Sequence, residues 1–337
     1  MQLPEARLPV NAGIVVLAWN GADQIGACLE AVLACEGEPS DIIVVDNGST
    51  DDSREVAKLA APMAKLLALP ENLGFAGGMN AGLDDFLGRE HAPEVLILLN
   101  QDTAVDRGWY QAITAPFGTA ADIGVVGCKI YYPDGKTLQH AGASIEPARA
   151  ITTHIGAGET DAGRYDVARD CEYVTGAAMA VRSAALRKTG PLDAGFFPAY
   201  YEEVDLCLRM RDAGYRVRYE PSATLRHAES TSLPENFRRY AVAHRNRLRF
   251  VVKNYTWPDL WETFLPAERA HAAAIGHDLE LATLRQAYLG AILGMEEWII
   301  ARRTRHEVSD EQAAELRSLF GDLRREIARD DPSRPWW

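Results

Sequence analysis

The chain has 337 residues, of which 47% are hydrophobic and 25% are charged. This length allows one large domain with an appendage, or two domains, and the composition is that of an ordinary globular protein. The formal net charge of −13 argues against a nucleic-acid-binding protein, because such proteins normally carry a basic domain.

Strands and helices alternate over the first hundred residues. Apolar runs without alternation are typical of strands buried on both faces, and they predict strands at residues 12–19, 41–46, 64–69 and 94–100. Apolar residues at helical spacing predict helices at residues 22–35, 51–61 and 75–87. This order predicts the α/β class, with a mostly parallel sheet covered by helices.

The rhythm changes after about residue 118. Strands are predicted at 123–132, 173–182 and 216–225, and residues 133–170 are predicted to form a long loop region, which is usually functional or mobile. From residue 234 the pattern becomes helical, with helices predicted at 237–254, 266–305 (one or two) and 309–330. The last of these opens with a capping box, Ser309-x-x-Gln312. We therefore place a boundary near residue 235, between a domain at 10–235 and a helical region at 236–337.

Polar side chains follow three of the first four strands. Asn20 follows the first, Asp46-Asn47 the second, and Asn100-Gln101-Asp102 the fourth. In α/β proteins the carboxyl ends of parallel strands form the edge where ligands bind, and oxygen ligands suit Mg²⁺ or Mn²⁺ carrying phosphates. The alternative for the Asp46 segment is a turn with a helix N-cap, because such turns favour these residue types.

A glycine-rich segment runs from Asn72 through Gly74 to Asn80, where a helix is predicted. Glycines let the backbone approach a ligand closely, and a helix N-terminus favours an anion. The spacing is not the dinucleotide-binding fingerprint. The alternative is a glycine-rich loop that packs tightly against its own helix.

Asp102 is the best single candidate for a metal ligand, and His227, at the end of a later strand, could close the coordination shell from across the site. A lone histidine is more often a structural residue.

Three carboxylates, Glu202, Glu203 and Asp205, lie at the start of a predicted helix. The helix dipole favours such charges, and Asp205 can pair with Arg209 one turn later. The other interpretation is a general base, since an ionised carboxylate in a cleft can take a proton from a hydroxyl nucleophile.

These segments, in this order, resemble glycosyltransferase family 2, and in particular its bacterial rhamnosyltransferase-like members. The resemblance covers roughly residues 12–255. It rests on the motifs at residues 15–20, 44–51, 71–80, 98–102, 176–179 and 200–209. It implies the GT-A fold, which binds nucleotide sugars, with a C-terminal helical extension, and it implies an inverting reaction.

The resemblance also implies roles for individual residues. Asp46 would contact the nucleotide base, Asp102 and His227 would hold Mn²⁺ or Mg²⁺, and Glu203 would be the catalytic base. The residues expected to bind the donor are Asn20, Asp46, Asn47, Asn72, Gly74, Asn80, Asn100, Gln101, Asp102, Gly176 and Ala177.

Two positions depart from the family pattern. The metal motif Asn100-Gln101-Asp102 supplies one carboxylate where many glycosyltransferases have two, so the metal would depend on the donor diphosphate. The catalytic segment has Glu-Glu where the family usually has Glu-Asp, so Glu202 or Asp205 remains an alternative to Glu203 as the base.

The implied reaction is a single displacement from dTDP-rhamnose or a UDP-sugar to a hydroxyl of a saccharide or lipid-linked saccharide acceptor. This chemistry belongs to the synthesis of cell-surface polysaccharides or glycoconjugates. The competing classes are a sugar nucleotidyltransferase and an inactive nucleotide-sugar-binding module. The first normally needs a cation close after the first strand, and residues 19–24 contain none.

Two C-terminal segments allow more than one interpretation. Arg238, Arg245 and Arg249 share a helix face, which is expected either to be solvated or to contact a diphosphate. Residues 288–303 are apolar with a basic end, and they could pack on the catalytic domain, on a membrane or on a partner subunit. No apolar run is long enough to span a bilayer and no signal-peptide pattern is present. We therefore expect a cytoplasmic enzyme, with peripheral contact at the inner face of the cell membrane left open.

Overall fold

The structure is a computed structural model that describes residues 10–35, 41–228, 236–276 and 278–329. Within these ranges the chain divides into two compact units. Unit 1 comprises residues 10–35, 41–144, 153–198 and 202–228, and unit 2 comprises residues 145–152, 199–201, 236–276 and 278–329. The boundary predicted near residue 235 lies outside the described residues, and unit 2 also takes in two short segments from earlier in the chain.

The strands follow the predicted apolar runs and add several short ones. In chain order they are β1 (Ala12–Ala18), β2 (Asp41–Asp46), β3 (Lys65–Ala68), β4 (Val95–Asn100), β5 (Thr103–Val105), β6 (Ile123–Tyr131), β7 (Leu138–His140), β8 (Ala143–Glu146), β9 (Ile151–His154), β10 (Arg169–Asp170), β11 (Ala178–Arg182) and β12 (Arg216–His227). Strands β8 and β9 pair with each other in a separate two-stranded sheet.

The main sheet of unit 1 has the order β10-β12-β6-β11-β4-β1-β2-β3. Strand β1 pairs in parallel with β2 on one side and with β4 on the other, and β2 pairs in parallel with β3. Strand β11 runs antiparallel to both β4 and β6. The predicted mostly parallel α/β sheet is therefore confirmed. Because the chain leaves β1 toward β2 and returns on the other side as β4, the β1–β4 edge is the point where an open α/β sheet binds ligands.

Ten α-helices are described. They are α1 (Ile25–Ala34), α2 (Ser53–Ala60), α3 (Gly74–Leu87), α4 (Trp109–Thr119), α5 (Ser183–Thr189), α6 (Glu202–Asp212), α7 (Asn236–Asn254), α8 (Leu265–Ala274), α9 (Asp278–Arg303) and α10 (Asp310–Arg329). The capping box before α10 is confirmed, since the amide N–H of Gln312 donates to Ser309 Oγ at 3.1 Å and that of Ser309 donates to Gln312 Oε1 at 3.0 Å. None of the described helices is long and apolar enough to cross a bilayer.

Helix α4 was not predicted from the sequence. Pro116 lies inside it. Because proline removes a helical hydrogen bond, the sequence pattern of this segment does not indicate a helix. Trp109, Ile113 and Phe117 are buried on one side of α4 in the core of unit 1. Burial of these side chains outweighs the local cost of the proline.

The predicted loop region at 133–170 contains the short strands β7 to β10 and is tied to the sheet by a buried cation. Lys129, whose side chain is 3% exposed, lies 2.8 Å from Asp161 Oδ2 and also contacts Asp166. A buried charge is tolerated when it is paired. The segment is therefore fixed by tertiary contacts that a periodicity search cannot detect.

His140 in β7 is wholly buried, and neither ring nitrogen has a hydrogen-bond partner among the described residues. Burial lowers the pKa of His140 well below its usual value, and the neighbouring His154 and Arg169 lower the pKa further. Because the folded protein resists a proton that the unfolded chain binds, this residue makes folding less favourable as the pH falls through about 6.5.

We expect His140→Phe to reduce the loss of stability between pH 7.5 and pH 5.5 by about 1 kcal/mol. Urea unfolding of both proteins at the two pH values measures this difference. His91→Phe, at an exposed position, controls for the substitution itself. Equal pH dependence of the free energy of unfolding in the parent and in His140→Phe would contradict this role of His140.

Unit 2 is built around a buried ion pair between α7 and α8. Arg247 Nη2 lies 2.7 Å from Glu268 Oε1, with side chains 2% and 0% exposed. Tyr288 in α9 donates its hydroxyl hydrogen to the same carboxylate oxygen at 3.0 Å. Breaking such a pair leaves an uncompensated charge in the interior.

We expect Glu268→Gln to lower the free energy of unfolding by about 3 kcal/mol or more, measured by chemical denaturation. The matched control is Glu326→Gln. Glu326 forms a two-point pair with Arg269 at 2.9 Å, but both side chains are more than 40% exposed. Exposed pairs contribute less than about 1 kcal/mol. Equal losses in the two variants would contradict the importance of burial at Glu268.

The arginine face predicted on α7 is solvated only at its start, because Arg238 is exposed and Arg245 partly exposed whereas Arg249 is buried, so the prediction of a solvated face is wrong for the later turns of this helix. Arg249 is 3% exposed and lies 2.9 Å from Glu297, and Lys253 is also buried. The apolar segment at 288–303 buries Met295, Trp298 and other side chains within unit 2. Part of the segment therefore packs inside the helical region itself, and packing against the catalytic domain stays a prediction.

Candidate active site

The structure brings the polar ends of β1, β2 and β4 together at one edge of the sheet. Ala18 pairs with Asp46, and Leu17 pairs with Asn100. Asn20 follows β1 in a left-handed conformation (φ 46°). Its side-chain oxygen accepts a hydrogen bond from the amide N–H of Thr50 at 2.8 Å. The predicted grouping of these residues is therefore observed.

Asp46 is almost wholly buried at this edge, and its carboxylate is held by the protein. One oxygen accepts a hydrogen bond from the amide N–H of Ser49 at 3.2 Å, and the other contacts the guanidinium of Arg54. The Arg54 side chain is 37% exposed, so a cation reaches the surface beside Asp46. Arg54 was not predicted from the sequence, because a single basic residue in a helix carries no specific signal.

The side chain of Asn47 holds the loop before α3 in place through hydrogen bonds. Its side-chain amide donates to Asn72 Oδ1 at 3.1 Å and to the Gly74 carbonyl at 3.0 Å, and its oxygen accepts from the amide N–H of Leu73 at 2.9 Å. The amide N–H of Phe75 donates to the carbonyl oxygen of Pro198 at 2.7 Å. These bonds engage the amides at the start of α3, which argues against an open anion site there.

The glycines of α3 serve close packing. A Cβ on Gly78 would lie 2.5 Å from Cδ1 of Leu17, and a Cβ on Gly82 would lie 2.5 Å from Cγ1 of Val15. Only glycine allows the helix to approach β1 this closely. Of the two interpretations of this segment, tight packing is the one that the structure favours.

Two side-chain amides predicted to bind the donor are engaged with the backbone. Asn80 donates to the carbonyl of Leu192 at 2.8 Å and accepts from its amide N–H at 3.1 Å. Gln101 makes the same two-point contact with the backbone of Trp19, at 3.0 Å and 2.9 Å. These bonds fix the chain around the site, and contact of either residue with a donor remains a prediction.

Asp102 and His227 meet as predicted. His227 Nε2 lies 3.1 Å from Asp102 Oδ1, and the two side chains are 11% and 5% exposed. The contact follows from the pairing of β5 with β12, which sets His227 opposite Thr103. The other ring nitrogen, Nδ1, lies 2.7 Å from Gln139 Oε1. An oxygen and a nitrogen donor therefore converge at the end of β4.

Glu203 is connected to the same edge through Gly176 and Ala177. The amide N–H of Asn100 donates to the carbonyl of Ala177 at 2.9 Å. A Cβ on Gly176 would lie 2.9 Å from the ring of Phe75 and 3.7 Å from Cβ of Glu203. The ring of Phe75 and the Cβ atom of Glu203 therefore both lie close to Gly176, next to the end of β4.

The three carboxylates at the start of α6 differ in their surroundings. Asp205 is wholly buried and accepts a hydrogen bond from Arg209 Nε at 2.8 Å, as its spacing predicts. Glu202 is buried, whereas Glu203 is partly exposed. Only Glu203 therefore combines partial exposure of the residue with a position in the first turn of α6, where the helix dipole stabilises a negative charge.

A model of the protein family described as Glycosyl transferase family 2 matches residues 13–190 of the chain, which is more than half of its length. The chain belongs to glycosyltransferase family 2. The matched range contains Asp46 and Asp102 but ends before Glu203 and His227. The placement of those two residues in the glycosyltransferase site rests on the geometry described above.

Sequence relatives cover different shares of this glycosyltransferase. It is 26% identical over 248 residues to N-acetylglucosaminyl-diphospho-decaprenol L-rhamnosyltransferase of Mycobacterium tuberculosis, with 68% of this chain and 80% of the relative covered. It is 28% identical over 198 residues to the uncharacterized protein y4gI of Sinorhizobium fredii, with 57% of this chain covered. The match spans only 21% of that longer relative.

A solved structure shares the fold of the glycosyltransferase. GalNAc-T7 with UDP, GalNAc and Mn²⁺ superposes with a TM-score of 0.58 at 14% sequence identity, covering 82% of this chain and 54% of that one. At this identity the likeness shows the fold alone. It supports the GT-A arrangement and the α/β class predicted from the sequence.

Cys28 lies beneath the Asn100–Asp102 turn of the glycosyltransferase. Its thiol contacts the carbonyl of Asn100 at 3.5 Å and Thr103 Oγ1 at 3.6 Å. Burial raises the pKa of Cys28 to about 12, the hydrogen bond from Thr103 opposes this rise, and the charge of Asp102 adds to it. The thiol therefore stays protonated and is a poor nucleophile. The other cysteines are also unbridged, and all but Cys171 are buried.

Proposed function

We propose that this family 2 glycosyltransferase transfers a sugar, with inversion, from a nucleoside-diphosphate sugar to a hydroxyl acceptor. One observation carries the proposal. Asp102 and His227 converge at the end of β4, and the same strand end is bonded through Ala177 to the Gly176 segment beside Glu203. The edge that would bind the diphosphate and the proposed base therefore lie close together, at the β1–β4 edge where the sheet changes its strand order.

The Asp102–His227 pair fits a divalent cation. A carboxylate oxygen and an imidazole nitrogen face each other at 3.1 Å in a nearly buried position, and both are ligands that Mn²⁺ accepts. Among the described residues no group of three or more His, Cys, Asp or Glu side chains could hold a metal. The donor diphosphate would therefore complete the shell, as the single carboxylate of the motif implies. When bound, the cation would neutralise charge that develops on the leaving diphosphate.

Glu203 is the proposed base. Its carboxylate takes the proton of the acceptor hydroxyl while the new bond forms between the acceptor oxygen and the anomeric carbon. The bond between that carbon and the diphosphate oxygen breaks in the same step, and the nucleoside diphosphate leaves with the electron pair. Because Asp205 is paired with Arg209 in the interior, its role is to fix the helix that carries Glu203.

The rest of the site supplies the donor pocket. Asn20 and Asp46 lie at the ends of β1 and β2, where they would face the nucleoside, and Arg54 holds the Asp46 carboxylate in place. The ring of Phe75 lies against Gly176 and offers an apolar face beside the base. This arrangement suits a sugar, which presents both hydroxyls and a C–H face.

The proposed donor is dTDP-rhamnose, with a UDP-sugar as the alternative, and the proposed acceptor is a lipid-linked saccharide in cell-surface glycan synthesis. The mycobacterial relative, whose name specifies rhamnose transfer to a diphospho-decaprenol saccharide, supports this choice. Work on such an acceptor would bring the protein to the inner face of the membrane.

A thermal-shift screen with dTDP-rhamnose, UDP-sugars and GDP-sugars in the presence of Mn²⁺ tests the proposed donor class. We expect one nucleotide family to raise the melting temperature, and the shift to shrink when EDTA replaces Mn²⁺. An equal response to all nucleotides, with or without Mn²⁺, would contradict a specific metal-assisted donor site.

A further inference from the structure

Gln139 lies beside the Asp102–His227 pair, on the side of the imidazole away from Asp102. It belongs to β7, which pairs with β6, and its residue surface is 7% exposed. Its side-chain oxygen is 2.7 Å from His227 Nδ1, and the contact is buried. No role was predicted for it, because it falls in the segment that the sequence predicts to be a loop.

The contact determines which ring nitrogen carries the hydrogen. An amide oxygen can only accept, so in this orientation His227 Nδ1 donates. The neutral ring then presents the lone pair of Nε2 to Asp102 Oδ1, 3.1 Å away. Two electron-rich atoms at this distance repel each other unless a proton or a metal cation lies between them. The contact is thus suited to metal binding.

We infer that Gln139 is a positioning residue that fixes the orientation and tautomer of His227, so that Nε2 and Asp102 together bind a divalent cation. This inference rests on the metal-assisted transfer proposed above. Histidine ligands commonly donate their second ring N–H to an oxygen, which orients the ring and raises its basicity.

The surrounding segment is built to hold Gln139 still. Lys129, at the end of the neighbouring strand β6, is buried and paired with Asp161 at 2.8 Å. The hydroxyl of Tyr131 donates to the same carboxylate, and the backbone of β7 pairs with that of β6. The long connection after β6 therefore brings a rigid amide to the metal site, which gives this region a function.

The experiment measures Mn²⁺ affinity by isothermal titration, with Mn²⁺ alone and with Mn²⁺ plus UDP or dTDP. Gln139→Met removes the acceptor at similar side-chain length, and Gln139→Glu keeps an acceptor oxygen at the same reach. We expect Gln139→Met to weaken Mn²⁺ binding by about 10–100-fold and Gln139→Glu to bind about as tightly as the parent. Circular dichroism of the metal-free proteins verifies their folding.

A second readout needs no metal. The ¹⁵N spectrum of the histidine rings in metal-free protein should show His227 with its hydrogen on Nδ1, and Gln139→Met should lose this preference. A ring with hydrogen on Nε2 in the parent would overturn the inference, and so would affinity as weak in Gln139→Glu as in Gln139→Met.

Asp102→Ala separates this inference from the proposed function. If Asp102→Ala loses Mn²⁺ while Gln139→Met binds it like the parent, the role of Gln139 is refuted and the metal site stands. If the parent binds no Mn²⁺ with either nucleotide, the metal site and the role of Gln139 are both refuted.

Discussion

Asp102→Ala is expected to lower sugar transfer by at least about a thousandfold, because the loss of several kcal/mol of charge stabilisation at the leaving diphosphate has this effect on a rate. Asp102 is the carboxylate that faces His227, at 3.1 Å. The metal motif offers no second carboxylate to replace it. The loss should appear in kcat/KM and in Mn²⁺ affinity together, measured by nucleoside diphosphate release and by titration.

Asp106→Asn is the matched control for Asp102. Asp106 lies four residues later, at the surface, and contacts Arg226 at 3.1 Å and Thr224 at 2.7 Å. We expect this variant to turn over like the parent. Near-parental turnover in Asp102→Ala, or an equal loss in Asp106→Asn, would contradict the assignment of Asp102.

Glu203→Gln is expected to lower kcat by about 10²–10⁴-fold, the usual contribution of a general base. The amide keeps the size and the contacts of the side chain but cannot accept the proton. Donor and Mn²⁺ affinity should therefore stay close to the parental values, in contrast to Asp102→Ala. Steady-state kinetics together with a donor titration separate the two effects.

Neighbouring carboxylates provide the controls for Glu203. Glu202→Gln should retain most of the turnover, because Glu202 is buried. Asp205→Asn should lower the melting temperature, since it breaks the buried pair with Arg209. Loss of kcat in Glu202→Gln with normal turnover in Glu203→Gln would transfer the role of base to Glu202.

The sequence was sufficient to predict the sheet edge that forms the proposed site. Long apolar runs identify β1, β2 and β4 because strands buried on both faces need them. Once those strands are parallel neighbours, their carboxyl ends must lie together. The meeting of Asp102 with His227 required more, since it depends on the pairing of β5 with β12, and β5 is too short to show a periodic pattern.

Residue type alone does not distinguish a side-chain amide that binds a ligand from one that holds a loop in place by hydrogen bonds. Asn47, Asn80 and Gln101 were predicted to bind the donor, and in the structure each bonds to backbone groups of unit 1. Both roles use the same donor and acceptor atoms. The distinction therefore depends on tertiary contacts between segments far apart in the chain.

Charge was the least predictable feature. The arginines of α7 suggested a solvated face, but Arg247 and Arg249 meet Glu268 and Glu297 from later helices. Gln139 was missed for a related reason, because its partner His227 is 88 positions away. Local patterns indicate which segments form helices and strands, but they do not reveal which distant partner neutralises a charge or orients a ring.

Release of nucleoside diphosphate from the donor found by thermal shift, recorded with and without a polyprenyl-diphosphate-linked saccharide, measures most directly whether this sheet edge transfers sugar. We expect release that requires Mn²⁺, rises strongly with the acceptor, and is lost in Asp102→Ala and Glu203→Gln. Donor binding without Mn²⁺-dependent release, or equal release by the parent and both variants, would contradict a glycosyltransferase site built on Asp102 and Glu203.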